Sequence, residues 1–301
     1  IIITAGPYSI FYSMNAEKPY IFFNYPSYGV FFGNNIFILL GVNGDMRRIT
    51  ATLPTQTTVI TANTNKQLYG GTYGNGLFIA VGDYGIIFTS SDNGLTWSKQ
   101  ISNTTYRLNS VTYGNGLFIA VGFNGTIVIS SNGINWNLVG NYYSSALYSI
   151  IYAKNWFIAV GSYPNQIMRS LDGFNWEYLV NGTHYNINNG NSPLVSITYG
   201  NGYFLAADNS GNPNVESTYS PTSRLIISKD GLYWYVLNGP STYNPYSCVL
   251  FAYNNYLVFS NGATRIGSWA YTDKLLPTLT FSIEAKYLND PSFSPIPISN
   301  S

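Results

Sequence analysis

One segment occurs twice almost unchanged and constrains the fold more than any other feature of the chain. Tyr73–Gly82 reads Tyr-Gly-Asn-Gly-Leu-Phe-Ile-Ala-Val-Gly, and Tyr113–Gly122 repeats it letter for letter. Weaker copies begin at Tyr28, Tyr152, Tyr199 and Tyr253. The intervals between these tyrosines run from roughly 40 to 54 residues, a length typical of repeats that stack one small β-sheet on the next.

Residues 107–140 show what one repeat contains. An alternating strand ends at Gly114-Asn-Gly116, and Asn-Gly is a strong signal for a type I′ hairpin. The apolar run Leu117–Val121 follows as a second strand, Thr126–Ser130 as a third, and residues 136–139 as a fourth. Four short strands in so few residues predict a small antiparallel sheet that must pack on neighbouring sheets to be stable.

The repeats predict an all-β fold, a β-propeller of four-stranded blades in a single domain covering residues 1–301. Six repeats leave N-terminal residues that read as strands two to four of a further blade: residues 1–6, 8–13 and 19–23. The missing inner strand would come from residues 285–298, so that the two ends of the chain jointly complete one blade and remove open sheet edges. We therefore expect seven blades; the alternative is six, with tails outside the ring.

The composition excludes several classes of function. Only 8% of the 301 residues are charged and the formal net charge is +1, which offers no electrostatic footprint for nucleic acid. No apolar run reaches the length of a membrane helix, so we expect no membrane insertion. A hydrophobic fraction of 46% with 17% aromatics nevertheless predicts a packed core.

Single copies of cysteine and histidine exclude further kinds of site. With Cys248 alone the chain has no intrachain disulfide, and Cys248 lies in an apolar strand typical of core packing. His184 alone gives neither a multi-histidine metal site nor a serine triad. We expect no cofactor, no metal and no catalytic residue. The chain starts at Ile1 without a methionine or a signal peptide, and we interpret it as a processed product or part of something longer.

A second motif follows the third predicted strand of four repeats. Ser90-Ser-Asp-Asn-Gly-Leu-Thr-Trp97 fits Ser-x-Asp-x-Gly-x-x-Trp. Shorter versions start at Ser130, Ser170 and Ser228 and lack one residue before the glycine. We expect the Asp or Asn side chain to accept N–H groups of its own turn, the glycine to be left-handed, and the tryptophan to lie between blades.

These four motifs resemble the Asp-box repeats (bacterial neuraminidase repeats) of β-propellers, and the resemblance covers essentially the whole chain. It implies that the boxes lie away from the ligand face, so Asp92, Asp172 and Asp230 are interpreted as structural. A sialidase of this family would need an arginine triad, a Tyr–Glu pair and an acid Asp. Six arginines are present, but the family's Arg-Ile-Pro signature is absent and none of the four glutamates pairs recognisably with a tyrosine.

Three long insertions point to a binding face, because long loops on a regular scaffold commonly carry function. They are Asn181–Pro193, Asp208–Ser223 and Asn238–Tyr246. Their tyrosines can stack on sugar rings and their amides can pair with hydroxyls. The predicted ligand-binding residues are Tyr185, Asn186, Asn188, Tyr219, Tyr243, Tyr246 and the neighbouring Arg224. The alternative is a solvated Tyr/Asn-rich loop.

The leading functional hypothesis is a non-enzymatic recognition module that binds a neutral glycan or a surface protein. The low charge and the Tyr/Asn/Ser/Gly bias resemble phage and viral tail or fibre proteins and bacterial adhesins. That resemblance implies an extracellular, cell-surface or virion location and a role in a larger assembly. The alternatives are a structural or assembly scaffold, like the photosystem II assembly factors with similar repeats, and less favoured, a sialidase-like glycosidase.

Overall fold

The computed structural model describes residues 2–5, 10–13, 21–23, 27–50, 53–141, 145–162, 167–179, 193–209, 225–237, 246–252, 255–260 and 263–269. These residues form β-strands joined by tight turns, three of which are short 3-10 turns. None of the described residues forms a helix with the length and apolar character that a bilayer crossing requires.

Five consecutive sheets have four antiparallel strands each, with neighbours in chain order. Sheet 2 contains β4 (Ser27–Gly33), β5 (Ile36–Gly41), β6 (Asp45–Thr50) and β7 (Leu53–Thr61). Sheet 3 contains β8 (Leu68–Gly74), β9 (Leu77–Gly82), β10 (Ile87–Ser90) and β11 (Ser98–Gln100). Sheet 4 contains β12 (Leu108–Gly114), β13 (Leu117–Gly122), β14 (Thr126–Ser130) and β15 (Asn137–Asn141). Sheet 5 contains β16 (Leu147–Ala153), β17 (Trp156–Gly161), β18 (Ile167–Ser170) and β19 (Glu177–Tyr178). Sheet 6 contains β20 (Leu194–Gly200), β21 (Tyr203–Asp208), β22 (Leu225–Ser228) and β23 (Tyr235–Leu237).

The first and last sheets have three described strands, which corrects the prediction of seven four-stranded blades to five. Sheet 1 contains β1 (Ile2–Ala5), β2 (Ile10–Ser13) and β3 (Ile21–Phe23), and sheet 7 contains β24 (Tyr246–Ala252), β25 (Asn255–Ser260) and β26 (Ala263–Trp269). The strand expected to complete sheet 1, within residues 285–298, lies outside the described residues. So do the residues after Trp269 that could complete sheet 7.

The described strands divide into two compact units. One contains the described residues of Ile1–Gly122 and Thr126–Gly140, and the other those of Phe123–Gly125 and Asn141–Asp290. Sheets 1 to 3 and nearly all of sheet 4 belong to the first unit, and sheets 5 to 7 to the second.

The hairpins between first and second strands have the predicted type I′ geometry. Asn75 and Gly76 have φ of 47° and 77°, and Asn115 and Gly116 have φ of 48° and 78°. Both central positions of such a turn need positive φ, which asparagine and glycine adopt at low cost. The repeated Asn-Gly therefore fixes the register of each first hairpin.

The core lies between neighbouring sheets and is built mainly from second strands. Phe78, Ile79, Ala80 and Val81 of β9 are fully buried, as the continuous apolar run predicts. Phe78 and Ala80 pack with residues of sheet 2, while Ile79 and Val81 pack with residues of sheet 4. A sheet with two apolar faces thus gains its stability from both neighbours.

The tyrosine of the repeated motif interlocks successive first strands. Tyr113 packs on Phe118 across its own hairpin, with ring centroids 4.6 Å apart. It also covers Gly74 of the preceding sheet, where an added Cβ would lie 2.1 Å from Tyr113 Cγ. Tyr73 covers Gly33 in the same way. The motif therefore needs glycine after tyrosine because the next sheet's aromatic ring occupies the space of a side chain.

The Ser–Asp hairpins, meaning the turns that start at Ser90, Ser130, Ser170 and Ser228, are held by their own side chains as predicted. Asp92 Oδ1 accepts hydrogen bonds from Leu95 N and Thr96 N at 3.1 and 2.9 Å, and Ser90 Oγ accepts one from Gly94 N at 2.9 Å. The shorter hairpins keep this pattern: Asn132 Oδ1 accepts from two backbone N–H groups. The glycines that follow are left-handed, with φ between 69° and 79°.

Three of the four hairpins also bond to the sheet before them. Arg48 Nε of sheet 2 donates to the carbonyl of Asn93 in sheet 3 at 2.8 Å. Thr89 Oγ1 of sheet 3 donates to the carbonyl of Gly133 in sheet 4 at 2.6 Å. In the second unit, Lys154 Nζ of sheet 5 donates to the carbonyl of Lys229 in sheet 6 at 3.1 Å. These three hairpins therefore join neighbouring sheets, which supports their structural interpretation.

Asp92 makes the stability of its hairpin sensitive to acid. Partial desolvation alone would raise the pKa of its carboxyl, but hydrogen bonds from Thr96, Ser90 and Leu95 lower the pKa to about 2. Because the folded pKa lies below the unfolded value of about 3.9, this contribution is present above pH ~4 and is lost as the pH falls through about 2. We expect Asp92→Asn to reduce the acid dependence of thermal unfolding in that window, since Asn132 holds an equivalent turn without a charge.

The reverse change, Asn132→Asp, is the matched control and should add acid dependence in the same window. Melting curves measured at a series of pH values decide between these outcomes. An unchanged pH profile in Asp92→Asn would contradict the assignment.

Candidate functional site

The binding site predicted from the long loops lies almost wholly outside the described residues. The residues that are not described include His184 and six of the predicted ligand-binding residues: Tyr185, Asn186, Asn188, Tyr219, Tyr243 and Arg224. Tyr246 is described as the first residue of β24. The loop site therefore stays a prediction, and the candidate developed below uses described residues of the first unit.

The candidate site forms where the first strands begin. Each first strand from β4 to β24 has a register shift near its start, for example between Leu68 and Gly70 in β8 and between Ser27 and Gly29 in β4. The residue within the shift is Tyr28 in β4 and Tyr69 in β8. A β-bulge redirects one side chain away from the regular alternation and is common beside functional sites.

Close approach of successive first strands brings these redirected residues together. A Cβ on Gly29 would lie 2.4 Å from the carbonyl oxygen of Tyr69, and a Cβ on Gly70 would lie 2.6 Å from that of Asn109. Glycine at these positions lets one backbone lie against the next. Side chains from three sheets can therefore share one surface.

Four side chains form what we call the tyrosine–arginine cluster: Tyr28, Tyr69, Asp83 and Arg107. The rings of Tyr28 and Tyr69 meet edge to face, with centroids 6.1 Å apart and planes at 82°. The Arg107 guanidinium stacks on Tyr69, with Cζ 3.5 Å from the ring centroid. The Asp83 carboxylate lies near the Tyr69 phenol and raises its pKa.

Different elements hold each member of the cluster. Tyr28 and Tyr69 come from the first strands of sheets 2 and 3, and Arg107 immediately precedes the first strand of sheet 4. Asp83 opens the turn between β9 and β10, where its N–H donates to the carbonyl of Gln67 at 2.9 Å. Strand ends and a hydrogen-bonded turn therefore position the four groups.

The electrostatics of the cluster keep Tyr69 neutral. Desolvation raises the pKa of its phenol, Arg107 opposes that effect, and Asp83 and Tyr28 add to it. A neutral phenol beside a carboxylate and covered by a guanidinium suits recognition of polar groups. Tyr28 is 51% exposed, so part of the cluster faces solvent.

A second cation–aromatic pair lies beside the cluster. Tyr84 follows Asp83 in the same turn and is 66% exposed, with Lys66 Nζ 4.5 Å from its ring centroid. Arginine can form paired hydrogen bonds to carboxylates, and lysine presents a point charge. The surface thus offers phenol rings for packing, two cations and one carboxylate.

Two other described arginines have separate partners. Arg48 binds the Asn93 carbonyl, and Arg169 forms an ion pair with Glu177 while stacking 4.1 Å from the Trp156 ring. Among the described residues, no cluster of three or more His, Cys, Asp and Glu side chains could hold a metal ion.

The sequence does indicate this cluster, through the residues at equivalent positions of successive repeats and not through the lengths of the loops. Two consecutive repeats carry tyrosine at the second position of the first strand, Tyr28 and Tyr69, and the next repeat has Arg107 just before that strand. A comparison of equivalent positions between repeats, rather than of loop lengths, identifies these residues.

No family model and no curated protein matches the sequence. Solved structures are similar in fold. YCF48 bound to D1 peptide has a TM-score of 0.63 and 13% identity, covering 86% of each chain. YCF48 from Cyanidioschyzon merolae has a TM-score of 0.53 and 18% identity, covering 73% of this chain and 71% of that one. The computationally designed Ika8 protein has a TM-score of 0.60 and 9% identity, covering 89% and 82%. YCF48 is a propeller, so the likeness supports the predicted β-propeller class; at these identities it concerns the fold alone.

Proposed function

We propose that this protein is a non-enzymatic recognition module that binds a segment of a partner protein at the tyrosine–arginine cluster. The observation that carries the proposal is the convergence of Tyr28, Tyr69, Asp83 and Arg107 from three successive sheets onto one partly exposed surface. Tyrosine and arginine are the residue types that contribute most often to binding hot spots.

The chemistry of the cluster favours a peptide over a sugar. Arg107 covers one face of Tyr69 at 3.5 Å, so that face cannot stack on a pyranose ring. A peptide instead offers carbonyl and carboxylate oxygens to the guanidinium, and apolar side chains to the Tyr28 ring. A solved structure of the same fold is bound to a peptide, which supports this choice of ligand class.

A neutral glycan is the second candidate and belongs to the loops Asn181–Pro193, Asp208–Ser223 and Asn238–Tyr246. Their tyrosines and amides are the groups that favour it. A cell-surface or virion location within a larger assembly is part of the proposal, supported by the low charge and the Tyr/Asn-rich composition. The Ser–Asp hairpins, with their side-chain-bonded turns, support grouping the chain with the Asp-box propellers.

The test selects peptides from a phage-displayed random library on the purified chain and measures the synthesised peptides by calorimetry. We expect Tyr28→Ala and Arg107→Lys each to weaken binding about tenfold or more, while the protein melts near the native temperature. Tyr235→Ala is the matched control, since Tyr235 is also a half-exposed tyrosine (42%) but lies on the outer strand β23.

Unchanged affinity in both cluster variants would overturn the assignment of the site. Loss of binding in Tyr219→Ala or Tyr243→Ala instead would place the site on the long loops. A glycan array run in parallel shows whether the loops bind sugars.

A further inference from the structure

The turn between second and third strands has one backbone conformation in three successive sheets. The turns are Val42–Gly44, Asp83–Gly85 and Phe123–Gly125. Their central residues are Asn43 (φ 54°, ψ 36°), Tyr84 (φ 55°, ψ 30°) and Asn124 (φ 56°, ψ 35°). The fold therefore requires a left-handed backbone conformation at this position, whichever residue occupies it.

Tyr84 is the unusual member of this set. Asparagine adopts the left-handed region readily because its short polar side chain bonds locally, whereas a bulky residue there is strained. Among the described residues, the non-glycine positions with positive φ are Asn in every case except Tyr84 and Lys154. The sequence thus places an aromatic residue where its neighbours use the residue that the backbone favours.

Packing within the fold does not explain this choice. The Tyr84 side chain is 66% exposed, so little of its apolar surface is removed from water. Lys66 Nζ lies 4.5 Å from the ring centroid, but a cation–π contact at an exposed site is weak. Strain that is maintained without a packing gain is characteristic of binding sites.

We propose that Tyr84 is a binding residue that extends the tyrosine–arginine cluster and contacts an apolar ring of the partner segment, a proline or an aromatic side chain, beside a carboxylate. This rests on the proposed function. The exposed phenol ring supplies the packing surface. Among the described residues of this surface, Lys66 and Arg107 outnumber Asp83 by one charge, which favours an acidic group next to the apolar one.

Stability gives a test that needs no ligand. In a Lys66→Gln background, where the cation–π contact is absent, Tyr84→Asn should raise the melting temperature by about 2 °C or more, because Asn43 and Asn124 fit the same turn. Tyr84→Phe in that background should melt unchanged, because it keeps the strained aromatic residue. A lower melting temperature for Tyr84→Asn would show that the ring stabilises the fold and would overturn the inference.

The binding measurement uses the library-selected peptides on single variants. We expect Tyr84→Asn to weaken binding about tenfold and Tyr84→Phe to stay within about twofold of the native protein. If Tyr28→Ala loses binding but Tyr84→Asn does not, the proposed function stands and the role of Tyr84 is wrong. If the library yields no binder, or if no cluster variant changes the affinity for the selected peptides, the proposed function itself fails and the inference with it.

Discussion

Trp136→Ala should lower the free energy of unfolding by ~3–5 kcal/mol, the cost of replacing a buried aromatic ring with a cavity. The ring is only 2% exposed and packs among residues of sheets 3 and 4, including Ile79, Val81 and Phe118. Removing it opens the space between two sheets that depend on each other. Denaturant titration followed by circular dichroism measures the change.

Two controls separate burial from the hairpin itself. Trp176 occupies the equivalent position in sheet 5 but is half-buried. Trp176→Ala should therefore lower the free energy of unfolding clearly less than Trp136→Ala does. Trp136→Phe should also lower the free energy of unfolding less than Trp234→Phe. Trp234 Nε1 donates to the Gly231 carbonyl at 3.3 Å, whereas Trp136 Nε1 makes no hydrogen bond among the described residues. Equal losses at Trp136 and Trp176 would contradict the packing account.

Gly74→Ala should destabilise the protein by about 3 kcal/mol, because the new methyl group would overlap the Tyr113 ring, which has no space to move away. The added Cβ would lie 2.1 Å from Tyr113 Cγ, and Tyr113 is itself held against Phe118. The clash involves the root of the side chain, so a change of rotamer does not relieve it. Thermal or chemical denaturation gives the size of the loss.

Gly76→Ala is the matched control in the same hairpin. A Cβ there meets nothing within 4 Å, so only its φ of +77° is unfavourable and the cost should be near 1 kcal/mol. In a Tyr113→Gly background, which also removes the Tyr113 Cβ that would lie 2.5 Å away, Gly74→Ala should lose most of its effect. Similar losses of unfolding free energy for Gly74→Ala and Gly76→Ala would show that Tyr113 moves easily and that its packing on Gly74 contributes little to stability.

The sequence predicted local features well because each depends on a few neighbouring residues. Asn115-Gly116 requires one type of turn, and the short apolar run Leu117–Val121 between two glycine-containing turns indicates a buried strand. The bonds made by Asp92 were predictable for the same reason, since donor and acceptor lie in one turn. Trp136 and Trp234 are buried between sheets as expected, while Trp97 and Trp176 are only half-buried.

The candidate site depends on relations between repeats and was therefore missed. Tyr69 lies beside Arg107 only because a bulge redirects one side chain and Gly70 admits the next strand. Loop length, the signal that selected Tyr185 and Tyr219, carries no information about such contacts. The strain at Tyr84 is likewise a property of the backbone, which the residue letters alone do not show.

The direction of the hairpin bonds has a consequence for how the chain is made. Asn93 of sheet 3 bonds to Arg48 of sheet 2, Gly133 of sheet 4 bonds to Thr89 of sheet 3, and Lys229 of sheet 6 bonds to Lys154 of sheet 5. In these three bonds the later hairpin attaches to a sheet that has already left the ribosome. Within each unit, a new sheet can therefore attach to the sheet before it as soon as it leaves the ribosome, so that packing follows the order of synthesis.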